Sequence, residues 1–166
     1  MNTEKKPLTI SDALARKLYP TADAEFKAVL EENYGKDFFS LKLIDRINSW
    51  DDVAAEQSLH PVNCLPFPNP QTIDEISCNA GWKIQHTSRL FNGGRGKVDY
   101  SNPQQRRTWA WMKKGPSGFG FGAASTYDDR THTYVGPRLE FLDREIFLAL
   151  MKKPFFQEMY NQYYSE

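Results

Sequence analysis

Two of the histidines and both cysteines are the side chains in this sequence best suited to hold a metal ion. Thiolates and imidazoles are the usual ligands of a tetrahedral zinc site, and the candidates are His60, Cys64, Cys78 and His86. Cys78 and His86 lie on one predicted helix, and their spacing along the chain separates them by about 12 Å along the helix axis. Ligands of a single ion must lie closer than that. The spacing therefore predicts no metal site unless the helix is broken, and it leaves two buried thiols and two ordinary histidines.

A second group of reactive side chains, Asp128, Asp129 and His132, could bind a metal or transfer protons. The group lies in a run of small polar residues, Ala123 to Thr133, which is typical of a hairpin loop. The chain has no Gly-x-Ser-x-Gly elbow, no recognisable Cys–His signature and no phosphate-binding loop of the Gly-Lys-Ser/Thr type. No catalytic residue and no cofactor is predicted, and catalysis by this group is kept as a third hypothesis.

The stretch Ser117 to Gly122 overlaps the RNA-recognition signature, in which exposed aromatic rings stack on bases. Ser117 stands where that signature has a basic residue, and Gly122 stands where it has valine. The RNA module also needs an earlier strand with a second aromatic motif, whereas the preceding region is predicted to be helical. The stretch is better interpreted as a strand with Phe119 and Phe121 on one face, whose glycines let another element approach closely.

A basic and aromatic region surrounds this stretch. Cations interleaved with rings are typical of a groove for single-stranded nucleic acid, and also of a charged sheet edge that resists aggregation. The cations are Arg95, Lys97, Arg106, Arg107, Lys113 and Lys114, and the rings are Tyr100, Trp109 and Trp111. A nucleic-acid-binding module that uses this basic patch is the alternative hypothesis for function.

Helical elements are predicted for the first half of the chain. Apolar residues at helical spacing indicate short helices up to residue 60, capped by Thr9 or Ser11, by Thr21 and by Ser49. The stretch 60–70 is too rich in proline to be a helix interior or a central strand. A longer helix then starts at a Thr72 cap and ends at Asn92-Gly93-Gly94. Its apolar residues near one face are Ile73, Ile76, Ala80, Ile84 and Phe91.

After residue 94 the pattern changes to strands. Segments 108–112, 119–121 and 134–141 predict a three-stranded antiparallel meander, with a turn over 113–118. Asp143 caps a final helix that covers the sheet, and Pro154 kinks or restarts it. The side chains predicted to be buried are Trp109, Phe121, Leu139, Ile146 and Leu150. Helices first and a sheet later predict an α+β fold, with a helical N-terminal half and a meander packed by the C-terminal helix.

Composition is typical of a globular protein. The chain has 166 residues, of which 40% are hydrophobic and 25% charged, with a formal net charge of zero. We expect a single domain, 1–166, with a mainly helical part over 1–94 and the sheet and C-terminal helices over 95–166. The polar N-terminus, the lack of an apolar run of about 20 residues and the few cysteines predict a cytoplasmic protein with free thiols and no membrane contact.

Three parts of the chain carry a likeness to known proteins. In order they are Arg46–Ala54, then Trp109–Met112 with Gly118–Phe121, and then Val135–Phe141 followed by Arg144-Glu145. Together they resemble a family of small proteins of unknown function from gut bacteria and their phages or prophages. The chain departs from the family pattern at Pro137, where serine is usual, and at Pro154, where the last helix is usually uninterrupted. The resemblance implies a phage or prophage context and no particular activity.

The resemblance also implies a tolerant loop at Ala123–Tyr134, rich in tyrosine and small polar residues. Tyrosine offers a large contact area with few rotatable bonds, and serine, threonine and aspartate offer adaptable hydrogen bonds, as in other binding loops. The first hypothesis is therefore a non-enzymatic binding protein that recognises a protein partner through this loop. The predicted contact residues are Tyr127, Asp128, Arg130, His132 and Tyr134.

Overall fold

The computed structural model describes residues 9–93, 108, 113–115, 118–120 and 139–164, with the backbone alone for 113–115 and 118–120. Clustering of contacts divides the chain into two compact units, Met1–Arg46 and Ile47–Glu166. This division does not test the prediction that residues 1–166 form a single domain, which stays a prediction.

The first unit is built from short helices. They are α1 (Asp12–Leu18), a 3-10 turn (Tyr19–Thr21), α2 (Ala24–Tyr34), α3 (Lys36–Ser40) and α4 (Leu43–Arg46). The Ser11 hydroxyl caps α1, one of the two predicted caps, by accepting a backbone N–H from the first turn at 3.3 Å. The cap of α2 is Asp23 and not the predicted Thr21, whose hydroxyl donates to the Leu18 carbonyl. Gly35 ends α2 with a φ of 82°, in the left-handed region that glycine favours.

Aromatic side chains join the helices of the first unit. The Tyr19 ring stacks on a phenylalanine ring of α3 with centroids 4.0 Å apart. The Arg16 guanidinium lies 3.4 Å from the centre of the Phe38 ring, and its Nε donates to the Phe38 carbonyl at 3.3 Å. Among the described residues of this unit, only Ala15 and Leu30 are buried. The apolar core of the first unit is therefore small.

The second unit contains the longer helices. They are α5 (Trp50–Glu56), α6 (Ile73–Asn92), α7 (Arg144–Met151) and α8 (Pro154–Tyr164), and the strands β1 (Lys113–Gly115) and β2 (Gly118–Gly120) lie between α6 and α7 in the chain. The predicted caps Ser49, Thr72 and Asp143 are confirmed, because each side chain accepts a backbone N–H from the first turn of its helix. Thr72 and Glu75 complete a capping box. At Pro154 the last helix restarts, as one of the two predicted outcomes had it.

The predicted α+β class is wrong, because the described residues are mostly helical and hold no three-stranded sheet. β1 and β2 pair antiparallel as a two-stranded ribbon, with Gly115 opposite Gly118. Both strands include residues that the sequence placed in a turn. Of the predicted third strand, 134–141, the structure describes only the end, where Phe141 forms an isolated bridge with Thr108.

Side chains of α6 bond to one backbone edge of the segment 139–142. Phe141 exchanges both of its backbone hydrogen bonds across the bridge at 2.8 Å, so the backbone groups on either side of it face the opposite edge. At that edge the Glu140 carbonyl accepts from Ser88 Oγ at 2.5 Å and from Asn92 Nδ2 at 2.8 Å. Asn92 Oδ1 accepts the backbone N–H two residues further on at 2.9 Å. Helix side chains thus occupy the edge where another strand would pair.

Aromatic rings form the core beneath α7 and α8. Phe141, Phe147, Phe156 and Tyr160 are buried. Their rings pack with centroid distances from 5.1 Å for Phe156 and Tyr160 to 6.4 Å for Phe147 and Tyr160. Tilted and edge-to-face contacts of this kind are the favoured geometry of aromatic pairs.

The residues predicted to be buried have three outcomes. Leu139 and Leu150 are buried, so their prediction is confirmed. Ile146 on α7 is half-buried, so it is less buried than predicted. Trp109 and Phe121 lie outside the described residues.

The packing of α8 against α6 is the most extensive contact between helices in the described part of the chain. Gly81 permits it, because a Cβ added there would stand 2.8 Å from Tyr163 Cε2. Nearby, the Ser77 hydroxyl donates to the Tyr163 carbonyl at 2.8 Å. The two helices therefore meet where α6 has no side chain.

Candidate functional site

The predicted partner-binding loop lies outside the described residues. The residues of this loop that were singled out, all outside the described ranges, are Tyr127, Asp128, Asp129, Arg130, His132 and Tyr134. Four cations of the predicted basic patch also lie outside, namely Arg95, Lys97, Arg106 and Arg107. The remaining two, Lys113 and Lys114, lie on β1, where their backbones pair with Gly120 and Phe119. Both surfaces stay predictions.

The candidate metal ligands occupy separate environments. His60 is exposed, and its Nδ1 accepts the Asn63 backbone N–H at 3.1 Å. Cys78 is exposed and Cys64 is half-buried, so the prediction of two buried thiols is wrong, although burial does raise the pKa of the Cys64 thiol. His86 is buried in α6. Within the described ranges, no three His, Cys, Asp or Glu side chains lie close enough together to share a metal ion.

The proline-rich stretch 60–70, named here the connector, is fastened to both neighbouring helices. The Trp50 indole of α5 donates to the Pro61 carbonyl at 2.6 Å. From α6, the Asn79 amide donates to the Phe67 carbonyl at 2.7 Å and accepts the Phe67 N–H at 3.0 Å. The prediction that this stretch is neither helix nor central strand is confirmed. Side chains outside the connector hold its backbone in place.

Apolar side chains on and beside the connector face solvent. Val62 is 44% exposed and Phe67 is 39% exposed. Ile73, in the first turn of α6, is 54% exposed, although it lies near the same face of that helix as other apolar residues. The buried face of α6 begins further along, at Asn79. Single exposed apolar residues are ordinary. Val62 and Phe67 lie on the anchored connector and Ile73 lies just beyond its end in α6, and the three are named here the connector surface.

Gln57, at the end of α5, fixes the protonation pattern of the buried His86. Gln57 Nε2 lies 3.0 Å from the His86 carbonyl oxygen and 3.5 Å from the Val53 carbonyl oxygen, so the amide nitrogen must be the atom on that side. Gln57 Oε1 then lies 3.1 Å from His86 Nδ1. An amide oxygen can only accept, so Nδ1 carries a proton, and in the neutral ring Nε2 then carries the lone pair.

Two tryptophan rings flank the His86 imidazole. The ring centre of Trp82 lies 4.9 Å from that of the imidazole, and the ring centre of Trp50 lies 6.3 Å from it. Burial lowers the pKa of His86, and the charge of Arg89 lowers it further. Both effects favour the neutral imidazole over the charged one, and the Gln57 contact then selects its tautomer.

Trp82 and His86 each place a nitrogen where it is buried and has no hydrogen-bond partner among the described residues. These atoms are Trp82 Nε1, an N–H donor, and His86 Nε2, a lone-pair acceptor. A buried donor or acceptor without a partner costs about 1–3 kcal/mol, whereas fixing one bridging water costs at most about 2 kcal/mol. A partner for each nitrogen is therefore favoured, and the two nitrogens lie on neighbouring rings. Gln57, Trp82 and His86 are named here the indole–imidazole site.

Sequence reasoning missed this site, although part of its signal was present. Asn79, Trp82 and His86 recur at helical spacing along α6, and polar groups on the buried face of a helix require partners. The spacing could have identified them as the polar stripe of the longest helix. Gln57 gave no local signal, because it meets His86 from 29 residues away along the chain.

Comparison of the chain with protein-family models, with curated proteins and with solved structures finds no match. The resemblance to small proteins of gut bacteria and their phages stays a prediction. Among the described helices, none combines the length and the apolar character needed to cross a membrane. Function is therefore inferred from the surfaces and sites of the chain itself.

Proposed function

We propose that this chain is a non-enzymatic binding protein that recognises a protein partner. The observation that carries the proposal is the connector surface. Val62 and Phe67 expose apolar side chains on a segment fastened by Trp50 and Asn79, and Ile73 exposes another in the adjoining first turn of α6. A cytoplasmic location and a phage or prophage context are part of the same proposal, and they rest on the sequence.

Pre-organisation makes the connector surface suitable for recognition. Association costs free energy when loops and side chains must be ordered at an interface, and a segment that is already fixed avoids much of that cost. The Asn79 amide uses both its donor and its acceptor on the backbone of Phe67. The backbone that carries the Phe67 side chain is therefore held in place at Phe67 itself.

The loop 123–134 is proposed as a second contact region. Tyrosine and arginine are frequent hot-spot residues, and each can contribute about 2 kcal/mol or more to binding. Alanine at Tyr127, Arg130 or Tyr134 is expected to reduce partner capture with little loss of thermal stability. A large fall in melting temperature for any of these variants would instead identify that residue as part of the core.

The proposal is tested by capturing partners on the purified chain, with and without nuclease. We expect a partner that resists nuclease, and serine at Val62, Phe67 or Ile73 should weaken its capture about tenfold, the equivalent of about 1.4 kcal/mol. The matched control is Leu41→Ser, because Leu41 is 50% exposed but lies in the first unit. Unchanged capture by all three variants, or a partner that nuclease removes, would contradict the proposal, and the second result would favour the nucleic-acid alternative.

A further inference from the structure

We propose that Trp82 and His86 form an internal binding site for one neutral hydroxyl group. The hydroxyl oxygen accepts the Trp82 indole N–H and donates its own proton to His86 Nε2. The two rings lie with centres 4.9 Å apart, and both nitrogens are buried. This site involves other atoms than the connector surface and does not depend on partner recognition there.

The polarity of the site follows from Gln57. Its amide nitrogen faces two backbone carbonyl oxygens, those of Val53 and His86, so its oxygen must face His86 Nδ1. Nδ1 therefore donates, and Nε2 is left as an acceptor. Indole nitrogen is a donor only, so the site offers one donor and one acceptor in fixed places. Gln57 is a positioning residue, because it acts on the ligand through the His86 tautomer.

A hydroxyl group is the chemical class that matches both nitrogens with a single oxygen. A carboxylate or phosphate could accept from Trp82, but it would bring a charge into a buried place and face the lone pair of His86. A cation could bind that lone pair but cannot accept from the indole N–H. Arg89, whose charge lowers the pKa of His86, also opposes a cation there.

Two sources can supply the hydroxyl, and both give the same hydrogen bonds. One is an internal water, and the other is an alcohol group on a small molecule retained by the protein. Buried waters normally serve polar groups that the fold leaves without protein partners. The experiment separates the two sources by identifying the protons that lie next to the Trp82 indole.

The test uses nuclear magnetic resonance of the 15N-labelled full chain at pH 7.5. We expect a pyrrole-type shift for His86 Nδ1, a pyridine-type shift for Nε2, and a cross-peak from the Trp82 indole proton to a long-lived water. A cross-peak to protons of a co-purified molecule would support the same site with the other source. Trp50 is the internal control, because its indole N–H is bonded to the Pro61 carbonyl and should show no such cross-peak.

Variants complete the test. Trp82→Phe should abolish the cross-peak and leave the proton on His86 Nδ1, whereas Gln57→Leu should shift part of the population to the Nε2-protonated form. Gln85→Leu replaces another half-buried glutamine and should change neither signal. A thermal melt confirms that each variant is folded. A proton on Nε2 of the unmodified chain, or a Trp82 indole proton without any cross-peak, would overturn the proposal.

Discussion

At the scale of single residues, amide side chains of the second unit form hydrogen bonds with backbone groups that a strand would otherwise pair. Asn79 pairs with both backbone groups of Phe67 in the connector. Asn92 spans two backbone groups of the segment before α7, and Gln57 joins the end of α5 to the His86 backbone and ring. Each amide supplies a donor and an acceptor from one side chain, so each can replace part of a β-ladder.

The pH dependence of stability should report the burial of His86. The pKa of His86 in the folded chain lies below its ordinary value of 6.5, because burial disfavours the charged ring. As the pH falls below about 6.5, the unfolded chain takes up a proton before the folded chain does, so stability falls. The contribution of the neutral ring to the free energy of unfolding is fully present above that pH. It decreases with a slope of at most about 1.4 kcal/mol per pH unit until the folded ring is protonated as well.

Urea unfolding between pH 5.5 and 7.5 measures this effect. We expect His86→Asn to be less stable than the unmodified chain at pH 7.5 and to have a smaller dependence on pH. His60→Asn serves as the control, because His60 is exposed. An undiminished slope in the His86 variant would assign the pH dependence to other groups.

Replacing Asn92 should lower the free energy of unfolding by more than the loss of so small a side chain would suggest. Asn92 is 7% exposed, and its loss leaves the Leu142 N–H without its acceptor and takes one donor from the Glu140 carbonyl. A buried backbone group without a partner costs about 1–3 kcal/mol. Asn92→Ala is therefore expected to lower the free energy of unfolding by that amount. Asn161→Ala on the exposed face of α8 should stay within about 0.5 kcal/mol, and equal losses for the two variants would contradict the role of Asn92.

At the scale of elements, three helix starts of the second unit could be predicted, whereas strand pairing and some helix starts of the first unit could not. The caps at Ser49, Thr72 and Asp143 follow from side chains within three residues of the groups they serve. The helix α3 begins directly after Gly35, the residue that ends α2, and a helix-ending glycine gives no sign that a new helix follows. At the described end of the predicted third strand, the Glu140 carbonyl accepts from Ser88, which lies 52 residues away along the chain. No local pattern contains that information.

The contact between α6 and α8 gives a prediction at this scale. Alanine in place of glycine ordinarily stabilises a helix interior by up to about 1 kcal/mol. At Gly81 the added Cβ would stand 2.8 Å from Tyr163 Cε2, so the gain should be lost or reversed. In a Tyr163→Ala background, Gly81→Ala should recover its ordinary gain. Unfolding of the four chains forms a double-mutant cycle, and an equal effect of Gly81→Ala in both backgrounds would show that the two helices do not meet there.

At the scale of the whole molecule, the two units differ in what they bury. The described residues of Met1–Arg46 contribute only Ala15 and Leu30 to the buried set, whereas Ile47–Glu166 contributes the aromatic core of α7 and α8. Composition could predict a globular chain, because the apolar fraction is ordinary. It could not predict this uneven division, or the site at His86, because both depend on which distant residues meet.

This division predicts that the two units behave differently when they are made separately. A chain as short as 1–46 buries too little apolar surface to offset the conformational entropy lost on folding, so we expect it not to fold alone. Residues 47–166 retain the buried aromatic rings, the caps of α5 to α7 and the Asn92 pairing. Thermal melts followed by circular dichroism should therefore show a cooperative transition for 47–166 and a gradual loss of signal for 1–46. A cooperative transition in 1–46 would show that its aromatic contacts suffice without a larger core. A loss of cooperativity in 47–166 would show that its stability needs the first unit, as a single domain over 1–166 requires.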